Sequence, residues 1–237
     1  MKHRLPQPPE IDSRDGLSFA LFMPDGDPPA GVVICHGAGS AKESHFEFAR
    51  YVRDTGLAAL AFDMRGHGQS EGSLDGRLLD DVLAMCDLIG GHAPSVAIRG
   101  SSLGGFCAIS AAAARPGTVD SVVAICPAPA DFLLRGLRSG RLEGFDFDAG
   151  TLEPLLERAD LGAAVEQLSP ATSLLLLHAQ ADESVPYTVS EELFGAAREP
   201  KRLIVLPGGH HRSIQHDPDM HAESIRFIER AAAPSSG

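Results

Sequence analysis

The amino-acid sequence predicts an α/β protein in which a mostly parallel sheet is covered by helices on both faces. Three observations carry that expectation. Short continuous runs of Val, Ile, Leu and Ala recur along the chain, too apolar throughout to be strands with one wet face. Segments with apolar residues at helical spacing lie between those runs, and several stop at a glycine. Residues of the AVILMFWYC set make up 43% of the 237, enough to bury a large core.

Taken in chain order, LSFALFM (17–23) and GVVICHG (31–37) flank a Pro/Gly/Asp turn and are expected to pair as an antiparallel hairpin at one sheet edge. EFARYVRDTG (47–56) reads as a short amphipathic helix, and LAALAFD (57–63) as a strand buried on both faces. In LLDDVLAMCDLIGG (78–91), Leu78, Leu79, Val82, Leu83, Cys86 and Ile89 repeat at helical spacing. A strand SVAIRG, a helix over 104–114, and strands SVVAICPAP, SLLLLHAQAD and RLIVLPGG follow, with a final helix over 219–232. Residues 131–170 break the alternation with charged, glycine-punctuated helical segments and are expected to form a small cap inserted between two strands. The chain as a whole, 1–237, reads as one domain.

Composition narrows the function. A net charge of −12, from 20 basic and 32 acidic residues, repels phosphate backbones and anionic membrane surfaces. No nucleic-acid or membrane partner is expected. No apolar stretch approaches the ~20 residues that span a bilayer, and the polar, proline-rich MKHRLPQPPE lacks the apolar segment of a secretory signal. A cytoplasmic location is therefore expected. Cys35, Cys86, Cys107 and Cys126 sit in apolar surroundings without a C-x-x-C pair and are expected to be buried hydrophobes. Oligomeric state leaves no signal in the sequence.

The segment IRGSSLGGFCAISAAAA (98–114) places two serines between a strand and a helix. Gly100, Ser101, Ser102, Leu103 and Gly104 match G-x-S-x-G, with Ser102 alone at the centre. A sharp strand-to-helix turn forces the central residue into strained dihedrals, and side chains two positions away on either side would collide. The helix that follows aims unpaired N–H groups and a positive dipole end toward the serine oxygen. Ser101 reads as a strand-end residue. A hydroxyl nucleophile needs a base, and the base an orienting acid. In this architecture both belong to loops at the carboxyl ends of later strands, acid first. SLLLLHAQAD ends in Asp182, with Glu183 next to it as a rival acid and helix capping as an alternative role for Asp182. RLIVLPGGHH ends in His210 and His211, of which only one can serve, because neighbouring side chains leaving a strand diverge. A metal site built from that pair with His216 and His221 lacks any H-E-x-x-H-like spacing.

CHGAGSAKES, FDMRGHGQSEG, GSSLGG, HAQADESVP and GGHH, in that order, make the chain similar to the α/β-hydrolase family from about residue 15 to residue 232. The resemblance implies the α/β-hydrolase fold, with oxyanion-hole N–H groups from Ala38 and Leu103. It selects His211, the histidine of a G-x-x-H pattern counted from Gly208, and leaves Asp63, Arg65, Gly66, His67 and Gly68 in a mostly structural loop. HAQAD departs from the family in carrying Ala179 where glycine is common. The implied activity is a serine hydrolase that cleaves a small-molecule carboxylic ester or thioester through an acyl-enzyme, with Ser102, Asp182 and His211 as triad and no cofactor or metal. A serine nucleophile argues against dehalogenase and epoxide-hydrolase chemistry, which use aspartate. Peptidase, acyltransferase and perhydrolase chemistry use the same constellation. A small-molecule-binding module on a retired scaffold is the reading from another class.

Overall fold

The computed structural model describes residues 7–233. Eight strands form one sheet: β1 (Glu10–Arg14), β2 (Leu17–Phe22), β3 (Ala30–Cys35), β4 (Ala58–Phe62), β5 (Ser95–Ser101), β6 (Ser121–Ile125), β7 (Ser173–Ala179) and β8 (Lys201–Leu206). Their order is β1-β2-β4-β3-β5-β6-β7-β8. The β1/β2 and β2/β4 pairs are antiparallel and the other five are parallel. The protein has the predicted α/β-hydrolase fold.

The apolar runs are explained by burial on both faces. Val32, Ile34, Ala59, Ala61, Leu175 and Leu177 point into one core, while Val33, Cys35, Leu60, Phe62, Leu174 and Leu176 point into the other. Helices α1 (Phe46–Asp54) and α8 (Pro218–Ala232) close the first core with Phe48, Val52, Ile225 and Ile228. Helices α2 (Leu78–Gly90) and α3 (Leu103–Ala114) close the second with Val82, Ile89, Phe106 and Ile109. Asp217 accepts the N–H groups of Asp219 and Met220, and Pro218 occupies the first turn, so α8 starts where sequence places it.

Two expectations change. The hairpin predicted between 17–23 and 31–37 does not form. β2 lies between β1 and β4, and β3 enters the sheet centre to pair with β4 and β5. The hairpin partner of β2 is β1, whose EIDSR is wholly exposed and carries no apolar alternation. A turn signal was nonetheless present. Asp15 and Gly16 both take positive φ, 53° and 80°, as a two-residue hairpin turn requires. The cap is also shorter than 131–170. Helices α4 (Ala130–Arg138) and α5 (Ala149–Arg158) pack on one another, whereas α6 (Leu161–Gln167) lies against α3 and α7 (Thr188–Ala196) in the layer on the sheet face. Leu161 and Val165 of α6 are buried there, so the inserted piece is 130–158.

After β3 the chain moves to β4 and then crosses back past β3 to β5, which sends α1 and α2 to opposite faces. Such a reversal opens a crevice at the carboxyl ends of the two strands beside it, here β3 and β5. Among the described residues no helix is long and apolar enough to cross a membrane.

Candidate active site

Ser102 follows β5 directly, at φ 55° and ψ −114°, and α3 begins at the next residue. The two flanking glycines answer a physical need. A Cβ on Gly100 would overlap the Gly104 carbonyl, and one on Gly104 would overlap the carbonyl of Cys35. The turn is braced through backbone. Ser102 N–H donates to Ile125 O at 2.9 Å, and Ser102 O accepts from Phe106 N–H at 3.0 Å and Ala128 N–H at 3.2 Å. Ser101 is the last strand residue, in register with Ile125 and 3% exposed.

The loop after β3 runs beside this turn. His36 Nδ1–H donates to Gly37 O at 2.8 Å, and His36 Nε2 accepts from Met64 N–H at 3.0 Å. His67 Nε2 accepts from Gly39 N–H at 3.1 Å. Burial, and then the neighbouring His67, lower the His36 pKa to about 4; burial also lowers that of His67. Both rings are therefore neutral at pH 7 and free to accept. Farther along the loop, Lys42 Nζ donates to Asp63 Oδ2 at 2.6 Å, with both side chains fully buried, and to Gln69 at 3.1 Å. Asp63 also accepts the N–H groups of Lys42 and Gln69. These bonds tie the loop to the FDMRGHGQS segment. Among the described residues the N–H groups of Ala38 and Leu103 have no hydrogen-bond partner. Leu103 is the first residue of α3, where an intrahelical partner does not exist.

The structure brings Asp182 and His211 together: His211 Nδ1 and Asp182 Oδ2 lie 2.7 Å apart. Asp182 Oδ1 accepts from Ser184 and Val185 N–H, each at 2.8 Å, and His178 Nε2 lies 3.3 Å from Oδ2. Burial pushes the Asp182 pKa up, but the bonds from His178, His211 and Val185 outweigh it and hold the carboxyl well below the usual range. Asp182 therefore orders its own turn and meets the imidazole as well. Glu183, the rival acid, instead accepts the backbone N–H of His211 at 3.1 Å. His210 is exposed, and its ring accepts the Arg212 N–H at 3.3 Å. Ala179 occupies its turn without distortion of the ladder, since β7 and β8 stay paired through Ala179 and Leu206.

Ser102, His211, Ala38 and Ser101 line one cavity of about 430 Å³. Among the described residues Ser102 Oγ makes no hydrogen bond to His211; such bonds are commonly long before substrate binds. The metal fragment weighed from sequence is not assembled. His221 is buried on Gln215 O, and His216 meets the Gln215 amide. The metal-like group among the described residues is Cys126, Asp182 and His211, with donor atoms within 4.8 Å. Burial raises the Cys126 pKa far enough to keep the thiol protonated, which suits a packed side chain better than a ligand. Residues that sequence reading missed are His36, Lys42, Gln69 and His178. The available signal was a lysine and a histidine inside short glycine-rich segments at strand ends.

Residues 26–132 match the family model Hydrolase_4, described as serine aminopeptidase, S33. The uncharacterized protein YfhR of Escherichia coli O157:H7 is 27% identical, over 96% of this chain and 82% of its own length. Monoglyceride lipase of Mus musculus is 28% identical, over 97% of this chain and 93% of its own. Among solved structures, Est1E from Butyrivibrio proteoclasticus superposes with a TM-score of 0.74 at 20% identity, covering 96% of this chain and all (100%) of that one.

Proposed function

From the α/β-hydrolase fold and the match of residues 26–132 to a hydrolase family model, we propose that the chain is a serine hydrolase cleaving a carboxylic ester or thioester through an acyl-enzyme intermediate. One observation carries the reading. A serine held at positive φ shares a cavity with an imidazole that is itself fixed by a buried carboxylate.

In the proposed cycle Ser102 Oγ attacks the acyl carbon while His211 Nε2 takes its proton. The tetrahedral oxyanion lies against the N–H groups of Ala38 and Leu103, each such donor being worth about 3 kcal/mol in comparable sites. Collapse of the intermediate expels the alcohol or thiol, which leaves with the proton from His211. Water then enters, gives a proton to His211 and attacks the acyl-enzyme, and Ser102 departs with that proton. Asp182 holds the proton on Nδ1, so that Nε2 is the basic nitrogen, and stabilises the imidazolium. The similarity to monoglyceride lipase supports ester over amide substrates.

A peptidase reading follows from the description of the matched family model. An aminopeptidase substrate presents an ammonium group, and charge speaks against one here. Three arginines and one glutamate line the cleft, and that glutamate is engaged with the His211 backbone. A fluorophosphonate probe tests the class. Wild type and Ser101→Ala are expected to label and to hydrolyse short 4-nitrophenyl esters, whereas Ser102→Ala does neither. An adduct mapped to Ser101, or none in the wild type, overturns the reading.

A further inference from the structure

The cleft beside Ser102 is lined by Arg135 and Arg141 from the cap and by Arg212 from the loop after β8. Three arginines in one lining stand out in a chain whose net charge is −12. Sequence spacing places Arg135, Arg138 and Arg141 on one face of a helix, with a solvated surface as one role and an anionic substrate as the other. The structure separates them. Arg138 donates to Glu153 at 2.7 Å and Glu157 at 2.5 Å and does not line the cleft, and Arg135 pairs with Asp131 one turn earlier on the exposed side of α4.

Among the described residues Arg141 and Arg212 have no such partner. Among the described residues the Arg141 side chain donates only to Ser139 Oγ, at 3.0 Å, and the Arg212 guanidinium takes part in no hydrogen bond or ion pair. Glu183, the carboxylate in the lining, accepts the His211 N–H and among the described residues pairs with none of these arginines. A guanidinium fork without a protein carboxylate is matched in shape and charge to a carboxylate on a ligand. The apolar interior of the cap, next to the cleft at Leu142, points the same way. The space enclosed by Leu74, Leu103, Leu133, Leu142, Phe145 and Leu156 measures only about 10 Å³, because the leucines of the cap fill it themselves. That is roughly the room of one water, so the interior of the cap offers no preformed tunnel for an alkyl chain beside the cleft.

Resting on the hydrolase reading above, we propose that the site selects small esters or thioesters carrying a free carboxylate, bound by Arg141 and Arg212, over long-chain neutral esters. The carboxylate belongs either to the acyl half, as in a dicarboxylic half-ester, or to the leaving half, as in an acylated hydroxy acid.

Two matched pairs test this after subtraction of uncatalysed rates. For the acyl side the pair is mono-4-nitrophenyl adipate and its methyl ester; for the leaving side it is 4-acetoxybenzoate and its methyl ester. In at least one pair kcat/KM for the anion is expected to exceed that for the neutral ester by about tenfold, mainly through KM, and the margin shrinks as salt is added. Arg141→Gln/Arg212→Gln together are expected to bring that ratio close to one, while Arg138→Gln leaves it where it was. Equal or better turnover of the neutral member in both pairs overturns the proposal alone. So does a preference that survives in the double variant. If the wild type turns over neither member of either pair and Ser102 takes no phosphonate label, the hydrolase reading falls and this one with it.

Discussion

The loop that carries Ala38 and the cap that carries Arg141 face the same cleft, yet they are held by opposite means. Behind the loop stand a fully buried lysine–aspartate pair and two neutral histidines that accept backbone N–H groups. The cap presents exposed ion pairs, Arg135 to Asp131 and Arg138 to Glu153 and Glu157, over a stripe of leucines. Buried ion pairs with every lone pair engaged fix geometry at the cost of desolvation, and a broken one is expensive. Exposed pairs are worth little and are easily exchanged. In the proposed cycle, the contrast sets the loop whose N–H would meet the oxyanion apart from the cap whose arginines would meet the substrate.

The largest expected effect probes chemistry itself. His211→Ala is expected to lower kcat by about 10⁴ or more, as when one member of a cooperative triad is lost, and His210→Ala by no more than about threefold. Steady-state kinetics on a short 4-nitrophenyl ester read both. The reverse pattern would reassign the base.

Next comes the buried half. Lys42→Met leaves Asp63 as an uncompensated buried charge, and urea denaturation is expected to show a loss of about 3–5 kcal/mol. Gln69→Ala, which removes a neutral acceptor shared by the same lysine and Ser18 Oγ, is expected to cost about 1 kcal/mol.

The same half is sensitive to acid, and the sign follows from burial. His36 titrates at about 4 in the folded chain, below its ordinary 6.5. Between those values the unfolded chain binds the extra proton, so stability falls as pH drops from about 6.5 toward 4. The contribution is on the order of 3 kcal/mol across that window. His36→Gln is expected to flatten the decline when unfolding midpoints are compared between pH 7.5 and 4.5; an unchanged slope would mean that the ring is not held neutral.

The smallest effect belongs to the cap. Arg138→Ala removes the bonds to Glu153 and Glu157, and the denaturation midpoint is expected to stay where it is. A clear drop would show that the cap is bound as firmly as the loop, and would erase the contrast.

The same division governs what sequence reveals. Ser102, Asp182 and the histidine pair stand at strand ends in a fixed chain order, and local glycine chemistry marks the turn, so they are legible from residues alone. Choosing His211 over His210 took a family pattern, and the 2.7 Å contact to Asp182 agrees with it. Strand order is not legible, because nothing within 17–23 says that its partners are 10–14 and 58–62 rather than 31–37. The Lys42–Asp63 pair lies in the same class: each residue looks ordinary in its own segment, and only the parallel pairing of β3 with β4 brings them together. The boundary of the cap slipped for a related reason. Amphipathic α6 looks like its neighbours in sequence and differs only in what it packs against.

The segment between α4 and α5 is joined to the body through main chain. Asp146 N–H donates to Gly66 O at 3.0 Å, Leu74 N–H to Asp146 O at 2.8 Å, and Asp148 N–H to Leu74 O at 2.8 Å. Gly66 admits this approach because a Cβ there would overlap the Asp146 carbonyl. Bonds between backbones are blind to side-chain identity. The seam therefore pins the middle of the inserted piece, between α4 and α5, to the loop after β4 whatever side chains those two helices carry.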